Sequence, residues 1–488
     1  MKLQSTILVA SLAFSAFPAP AQQTSIVRLD GSKISFSEVD ATATRLLQAA
    51  EVTGAGIALF AGGKVVYAKG YGVRDKDNNL PFTPDTVVTA ASLSKSAFAF
   101  MVMQLVEEKL LDLDKPVYLY LPKPLPEYPA YSDLASDPRY KRITARMILS
   151  HTAGFPNWRW LRDDHRLNIN FEPGARYAYS GEGIVLLQFV VETITGKSTQ
   201  ELMRKRVFEP LEMTRTSMIT ERGFEPDISN RYDEYGRTIG FDVRTKPNAA
   251  GSMQTTLNDY ARLLAAIMQG HLLGKETRDL MLSPHIQILS RTQFPSLTTE
   301  TTDANKSIRL SYGLGWGLYW TPYGKAFFKE GHDEGWRNYT VCFENGTGIL
   351  ILTNSSNGEG IFKPLLETLL KNTFTPIEWE GYTPYDQLPQ RPPLKIHKIA
   401  SVPLPLLEKY AGRYGEPPQL VLVVRREGDH LSIQENDQPR EEVFPESDRQ
   451  FFSKSNDDIL TFESDSASRV ITMTIHLPGR NISVKRLD

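Results

Sequence analysis

Apolar residues follow two different periods along this chain, and the periods change in a fixed order. Residues 56–72, GIALFAGGKVVYAKGYG, carry two alternating apolar runs around Ala61-Gly62-Gly63, the pattern of a β-hairpin. Residues 97–106 are apolar almost all round, which predicts a helix buried inside a domain, entered at Ser92. A second buried helix is predicted over 183–195 with Gly196 as its C-cap, and a third over 256–268 with Asn258 and Asp259 in its first turn. Strand periodicity returns at 325–330, 339–344 and 347–354, and a helix over 360–370 closes the segment. Residues 112–147, rich in Pro and Tyr, show little periodicity and read as a loop region over the surface. Helices in the middle with strands at both ends predict an α/β sheet carrying a helical insertion. Many prolines in 376–405 read as a semi-rigid linker. Short alternating runs at 420–425, 430–434, 450–454, 459–462 and 470–476 predict a small all-β domain over 406–488.

The first residues differ from the rest. Lys2 precedes an apolar run over 7–17, and Ala19-Pro20-Ala21 supplies small residues, so 1–21 reads as a secretory signal. The main domain then spans 22–375, and the expected location is periplasmic or secreted. No later segment reaches the length of a membrane span. At 488 residues, 41% hydrophobic and 23% charged, the chain has the composition of a soluble globular protein. A net charge of −2 leaves no basic footprint for nucleic acid. Cys342 is the only cysteine, so no intramolecular disulfide and no thiolate metal cluster can form within one chain, and its apolar neighbours predict a buried strand thiol.

Candidate chemistry begins at Ser92-Leu93-Ser94-Lys95. Side chains three apart share a helix face, so the Ser92 hydroxyl and the Lys95 amine can meet. A lysine with an ordinary pKa of about 10.4 must lose its proton to act as a base, and burial at the dry end of an apolar helix favours that loss. The other reading is an N-cap serine beside a solvated lysine. No Gly-x-Ser-x-Gly turn exists in the chain, and Gly196-Lys197-Ser198 follows a helix rather than opening one, against a phosphate loop. Neither Asp163-Asp164-His165 nor His332-Asp333-Glu334 brings a metal set together by sequence, and no cofactor is implied. Trp158 and Trp160, flanking Arg159, are candidates for an apolar substrate wall or for ordinary packing.

Further marks follow in order: Leu149-Ser150-His151-Thr152-Ala153-Gly154, Pro173-Gly174 with Tyr179-Ser180, Ala250-Gly251-Ser252-Met253, Tyr312-Gly313-Leu314-Gly315-Trp316, and Gly331-His332 ahead of Gly335. With the Ser92 quartet they resemble the serine β-lactamase and penicillin-binding-protein-like superfamily, in its class C and family VIII esterase branch, over roughly residues 34–373. The resemblance implies an antiparallel sheet flanked by helices with an all-helical insertion. It implies Ser92 as the acylated nucleophile, Lys95 as its base, and Tyr179 as a proton shuttle beside a cation such as Lys95. It implies an oxyanion hole from the Ser92 N–H and one near Glu334 or Gly335, and makes His151 part of a structural turn. Two positions depart from the pattern. Gly181 stands where an asparagine usually holds the substrate amide, and His332-Asp333-Glu334 stands where Lys-Thr-Gly is usual, leaving His332 to touch substrate or cap its strand. The function implied is an exported serine hydrolase acting on a short-chain ester, a β-lactam or a D-amino-acid peptide. The alternative is a non-catalytic protein that recognises cell-wall peptide.

Overall fold

The computed structural model describes residues 24–241, 243–389, 391, 397–417, 420–435, 440–453, 458–477 and 480–488. The segment read as a signal, 1–21, lies outside the described residues. The expected hairpin forms from β1 (Gly54–Ala61) and β2 (Lys64–Asp75). They join β3 (Leu80–Pro81), β4 (Ile286–Gln287), β5 (Ser311–Tyr312), β6 (Gly317–Thr321), β7 (Gly324–Asp333), β8 (Trp336–Phe343) and β9 (Gly348–Thr353). The sheet runs β4-β5-β6-β7-β8-β9-β1-β2-β3, with every neighbouring pair antiparallel. Strands from the two ends of the domain meet where β9 pairs β1, Ile351 lying opposite Ile57.

Successive side chains point to opposite faces of a strand, and in β1, β8 and β9 both faces are buried. Ala58, Phe60, Phe327 and Leu350 pack with the Leu93–Glu107 and Leu257–Gln269 helices. Ile57, Leu59, Phe328 and Ile349 pack instead with the Phe36–Ala49 helix and with Phe362, Leu365 and Leu369. Double-sided burial is why these strands read as nearly continuous apolar runs. Pattern did not reveal the Phe36–Ala49 helix, which buries only a stripe of Val39, Ala43, Leu46 and Leu47 and starts at a capping box between Ser35 and Glu38.

Two expectations are corrected. Residues 112–147 are not a loop over the surface: short helical turns tuck Val117, Leu125, Tyr131, Leu134, Tyr140 and Ile143 into the core beneath the sheet. Proline-spaced 3₁₀ turns bury residues without a 3.6 period, so the pattern stays silent. The stretch from 376 is not a free linker either. Ile377, Trp379 and Tyr382 are buried in the sheet's second core, Tyr339 donates its hydroxyl proton to Glu380, and the Gln293 N–H donates to the Trp379 carbonyl at 2.8 Å.

Beyond it, Val402 and Leu407 belong to a separate core with Tyr414, Leu422, Phe451 and Met473. Eight antiparallel strands between Gly412–Glu416 and Arg480–Lys485 form a meander. Its ends meet through the Tyr414–Arg486 bridge and the Leu487 N–H to Arg413 carbonyl bond of 2.8 Å, closing a small barrel. Among the described residues no helix is long and apolar enough to cross a membrane. Cys342 is fully buried on β8, and burial pushes its thiol up to about 12, so it is inert as a nucleophile at neutral pH.

Candidate active site

Ser92 occupies the N-terminal position of the Leu93–Glu107 helix, yet its hydroxyl makes no capping bond. The N-cap reading therefore fails on geometry. Ala91, just before it, takes φ +49°, a left-handed conformation that costs a residue with a Cβ on the order of 1 kcal/mol and turns the chain sharply into the helix. Neighbours hold the bend: the Ser94 hydroxyl donates to the Ala91 carbonyl at 2.6 Å and accepts from the Met253 N–H at 3.1 Å. The Ala90 N–H donates to the Met253 carbonyl at 2.7 Å. Thus the 250–253 segment, singled out by sequence, is bonded directly to the entry of the Ser92 helix.

Lys95 lies one turn on, 1% exposed, with Nζ 3.0 Å from Ser92 Oγ and donating to the Ala250 carbonyl at 2.6 Å. Burial, and then the charge of Lys329, hold its pKa well below the usual lysine range. Burial and a second cation thus disfavour the protonated form of an amine that lies at hydrogen-bond distance from a partly exposed hydroxyl.

Tyr179 is buried, with its ring 5.1 Å from Lys95 Nζ. The cation at its oxygen is not Lys95 but Lys329, whose Nζ donates to the phenol at 3.0 Å and to Glu330 Oε1 at 2.7 Å. Lys329 and Glu330 are both buried, an ion pair placed directly behind the phenol. Burial and the Glu330 charge nevertheless raise the Tyr179 pKa well above 10, so the resting group is a neutral phenol rather than the phenolate that a neighbouring cation favours. Sequence reasoning missed Lys329. The one available signal was a lysine inside the apolar Phe327-Phe328-Lys329 run, at a position where a strand residue is buried.

The remaining candidates do not all gather here. Gly331 faces the Ser92 helix so closely that a Cβ would sit 2.4 Å from the Ala90 carbonyl oxygen, which only glycine permits. His332, next along the strand, projects to the other face, half-exposed, stacked on Tyr382 and 3.6 Å from Glu359. The packed walls around it and the Arg337 charge depress its pKa to about 3, so it is neutral. Glu334 and Gly335 form the turn into β8: Glu334 lies 3.3 Å from Arg231, and their N–H groups donate to Asp333 Oδ1 and Ser356 Oγ. Pairing of β7 with β6 stops at Phe328, so the strand from Lys329 to Asp333 runs beside the Ser92 helix with that edge outside the sheet. His151 is buried and held neutral by its burial and by the two lysines. Its Nδ1 accepts from the Ser180 N–H at 3.2 Å, and its ring packs 4.4 Å from Tyr179. It pins the tyrosine loop.

At Gly181 the volume a side chain would need is already filled. A Cβ built there would lie 2.5 Å from the Trp158 ring, which in turn lies 5.8 Å from Lys95 Nζ.

The Ser92, Lys95 and Tyr179 side chains gather between a helix start and the edge of an antiparallel sheet, and the chain belongs to the Beta-lactamase family, whose pattern matches residues 39–369. Residues 397–486, which include the barrel, match a domain of unknown function, DUF3471. Penicillin-binding protein 4* of Bacillus subtilis is 22% identical over 438 residues, 81% of this chain and 86% of its own length. The teichoic acid D-alanine hydrolase of Staphylococcus aureus is 23% identical over 46% of this chain and 57% of its own. Among solved structures, the octameric penicillin-binding protein homologue from Pyrococcus abyssi superposes with a TM-score of 0.58 at 21% identity, covering 93% of this chain and all of that one. The D-alanine carboxypeptidase AmpC from Burkholderia cenocepacia gives 0.53 at 20% identity over 66% of this chain and 95% of its own.

Proposed function

We propose that this protein is an exported serine hydrolase that cleaves a carboxylic ester, and more slowly an amide, through an acyl-enzyme on Ser92. One observation carries the reading: the Ser92 hydroxyl lies 3.0 Å from the amine of the buried Lys95, which in turn lies 5.1 Å from the buried Tyr179 ring. In the first half-reaction Lys95 Nζ takes the Ser92 proton as Oγ bonds to the substrate carbonyl carbon. The bond to the leaving group then breaks, and Tyr179 hands that group a proton, drawing its replacement from Lys95. In the second, water loses a proton to the same pair, attacks the acyl carbon and releases the carboxylic acid, and the proton returns to Ser92 Oγ. The net change is ester plus water to acid plus alcohol. Lys329, fixed by Glu330, favours the transient phenolate while repelling a proton from Lys95. The committed N–H groups of Glu334 and Gly335 favour an oxyanion donor drawn from the outer edge between Lys329 and Asp333, paired with the Ser92 N–H. Losing such a donor typically costs about 10²-fold or more.

The names of the relatives add a D-alanyl ester or peptide to the candidate substrates, and the apolar run ahead of Ala21 supports export towards the cell wall. Intact-protein mass spectrometry with a fluorophosphonate is the decisive test: one adduct is expected, absent in Ser92→Ala. No adduct with any acylating probe would leave the non-catalytic binding reading in its place. Assayed side by side, p-nitrophenyl butyrate is expected to turn over well and nitrocefin weakly, and the reverse would overturn the ester preference.

A further inference from the structure

Trp158 is a large ring at the catalytic lysine, and the residues around it hold it in place. Asn157 accepts from the Gly181 N–H through both its backbone and its side-chain oxygen, and from the Glu182 N–H, each at 3.0 Å. Arg159 grips the buried Glu182 carboxylate with its own N–H, Nε and Nη2 at 2.8–3.0 Å. Its Nη1 donates to the Ala130 carbonyl at 2.7 Å. The residues on both sides of Trp158 are therefore bolted to the first turn of the Gly181–Thr195 helix, next to Tyr179. Trp160, 54% exposed, stacks on Trp158 with the rings 18° from parallel. With Gly181 offering no side chain and the Arg159 charge taken up by Glu182, this wall presents an aromatic surface.

We infer that Trp158, backed by Trp160, is a specificity-determining shelf that selects substrates carrying a flat, apolar acyl group beside the reacting carbonyl. A phenyl ring laid on an indole removes apolar surface from water from both partners and adds an offset-stacking preference. A small acyl group gains little of either, and a cationic D-alanyl group finds the nearby carboxylates already paired, Glu182 with Arg159 and Glu330 with Lys329. The inference rests on the acyl-transfer reading above and deepens it.

The test compares kcat/KM for p-nitrophenyl phenylacetate, acetate and D-alaninate in the full-length protein. Phenylacetate is expected to be preferred, with the phenylacetate-to-acetate ratio falling about 10-fold in Trp158→Ala, mainly through KM. Trp158→Phe should retain most of the ratio, and Trp160→Ala, at an exposed position, should lower it about 3-fold. A ring that merely supports the fold would lower both esters alike, so an unchanged ratio in Trp158→Ala and Trp160→Ala overturns the shelf. A preference for D-alaninate that survives both substitutions overturns it too. Fluorophosphonate labelling of Ser92 in each variant separates the cases: labelling with an unchanged ratio rejects the shelf alone, whereas absent labelling in the parent rejects the hydrolase reading itself.

Discussion

Burial of Lys95 costs stability, because the unfolded chain binds a proton there more tightly than the folded chain does. Between the depressed folded pKa and about 10.4 the unfolded state holds more protons, so this residue's contribution to stability rises with pH across that window. Lys95→Met, similar in length and apolar, is expected to abolish acylation and to raise stability at pH 7 by about 1 kcal/mol, a gain that shrinks towards pH 10. Urea melts at pH 7 and 9.5 read both. The charge of Lys329 acts on the same equilibrium from the far end of the domain's sequence. Removing its charge in Lys329→Met lets Lys95 keep its proton to higher pH, so the acid limb of the Ser92 labelling rate should move upward between pH 5 and 9. A limb that stays in place would show that burial alone sets the lysine. Tyr179→Phe keeps the ring packing on His151 but removes the shuttle, and turnover should fall on the order of 10²-fold.

Elements were legible where one face or all faces of a segment carry a single period. The hairpin, the Ser92 helix, the 183–195 helix and five C-terminal strands were visible for that reason, whereas Gly412–Glu416, Glu441–Pro445 and Arg480–Lys485 were not. The quartet at Ser92 was legible because helix geometry converts a spacing of three into a contact, and Tyr179 because turn residues mark the way to it. Lys329 was hidden, and Trp158 stood open between substrate wall and ordinary packing, since their partners lie far along the chain: a lysine in an apolar strand and a tryptophan in a loop gain those neighbours only when Tyr179 and Gly181 arrive beside them. Segment 112–147 was misread because buried 3₁₀ turns have no amphipathic period to detect. Energetics at this scale rest on small devices. Ser35→Ala removes one side of the capping box on the Phe36–Ala49 helix and should cost about 1 kcal/mol in a denaturant melt. Glu182→Ala frees Arg159 and should cost about 2 kcal/mol, between the values of exposed and buried pairs, while loosening the Trp158 segment.

Across the whole molecule, the barrel core and the cores on the two faces of the sheet share no residue, the boundary falling between Tyr382 and Val402. Calorimetry is expected to resolve two unfolding transitions, of which only the sheet-bearing unit's rises when Ser92 carries an acyl group, since a ligand stabilises the fold that binds it. A single transition that shifts as one would show the barrel to be an integral part of that unit. The pairing of β9 with β1 has a temporal meaning as well. The ribosome delivers Ser92 early, but the strand bearing Lys329 comes far later, and the sheet is joined at its centre only when Thr353 has been made. Ser92 and Lys329 are thus brought to one site only by the folded sheet. A fluorophosphonate is therefore expected to label Ser92 in the native protein and not in the urea-unfolded chain, and equal labelling of both would show that the serine needs no assembled site.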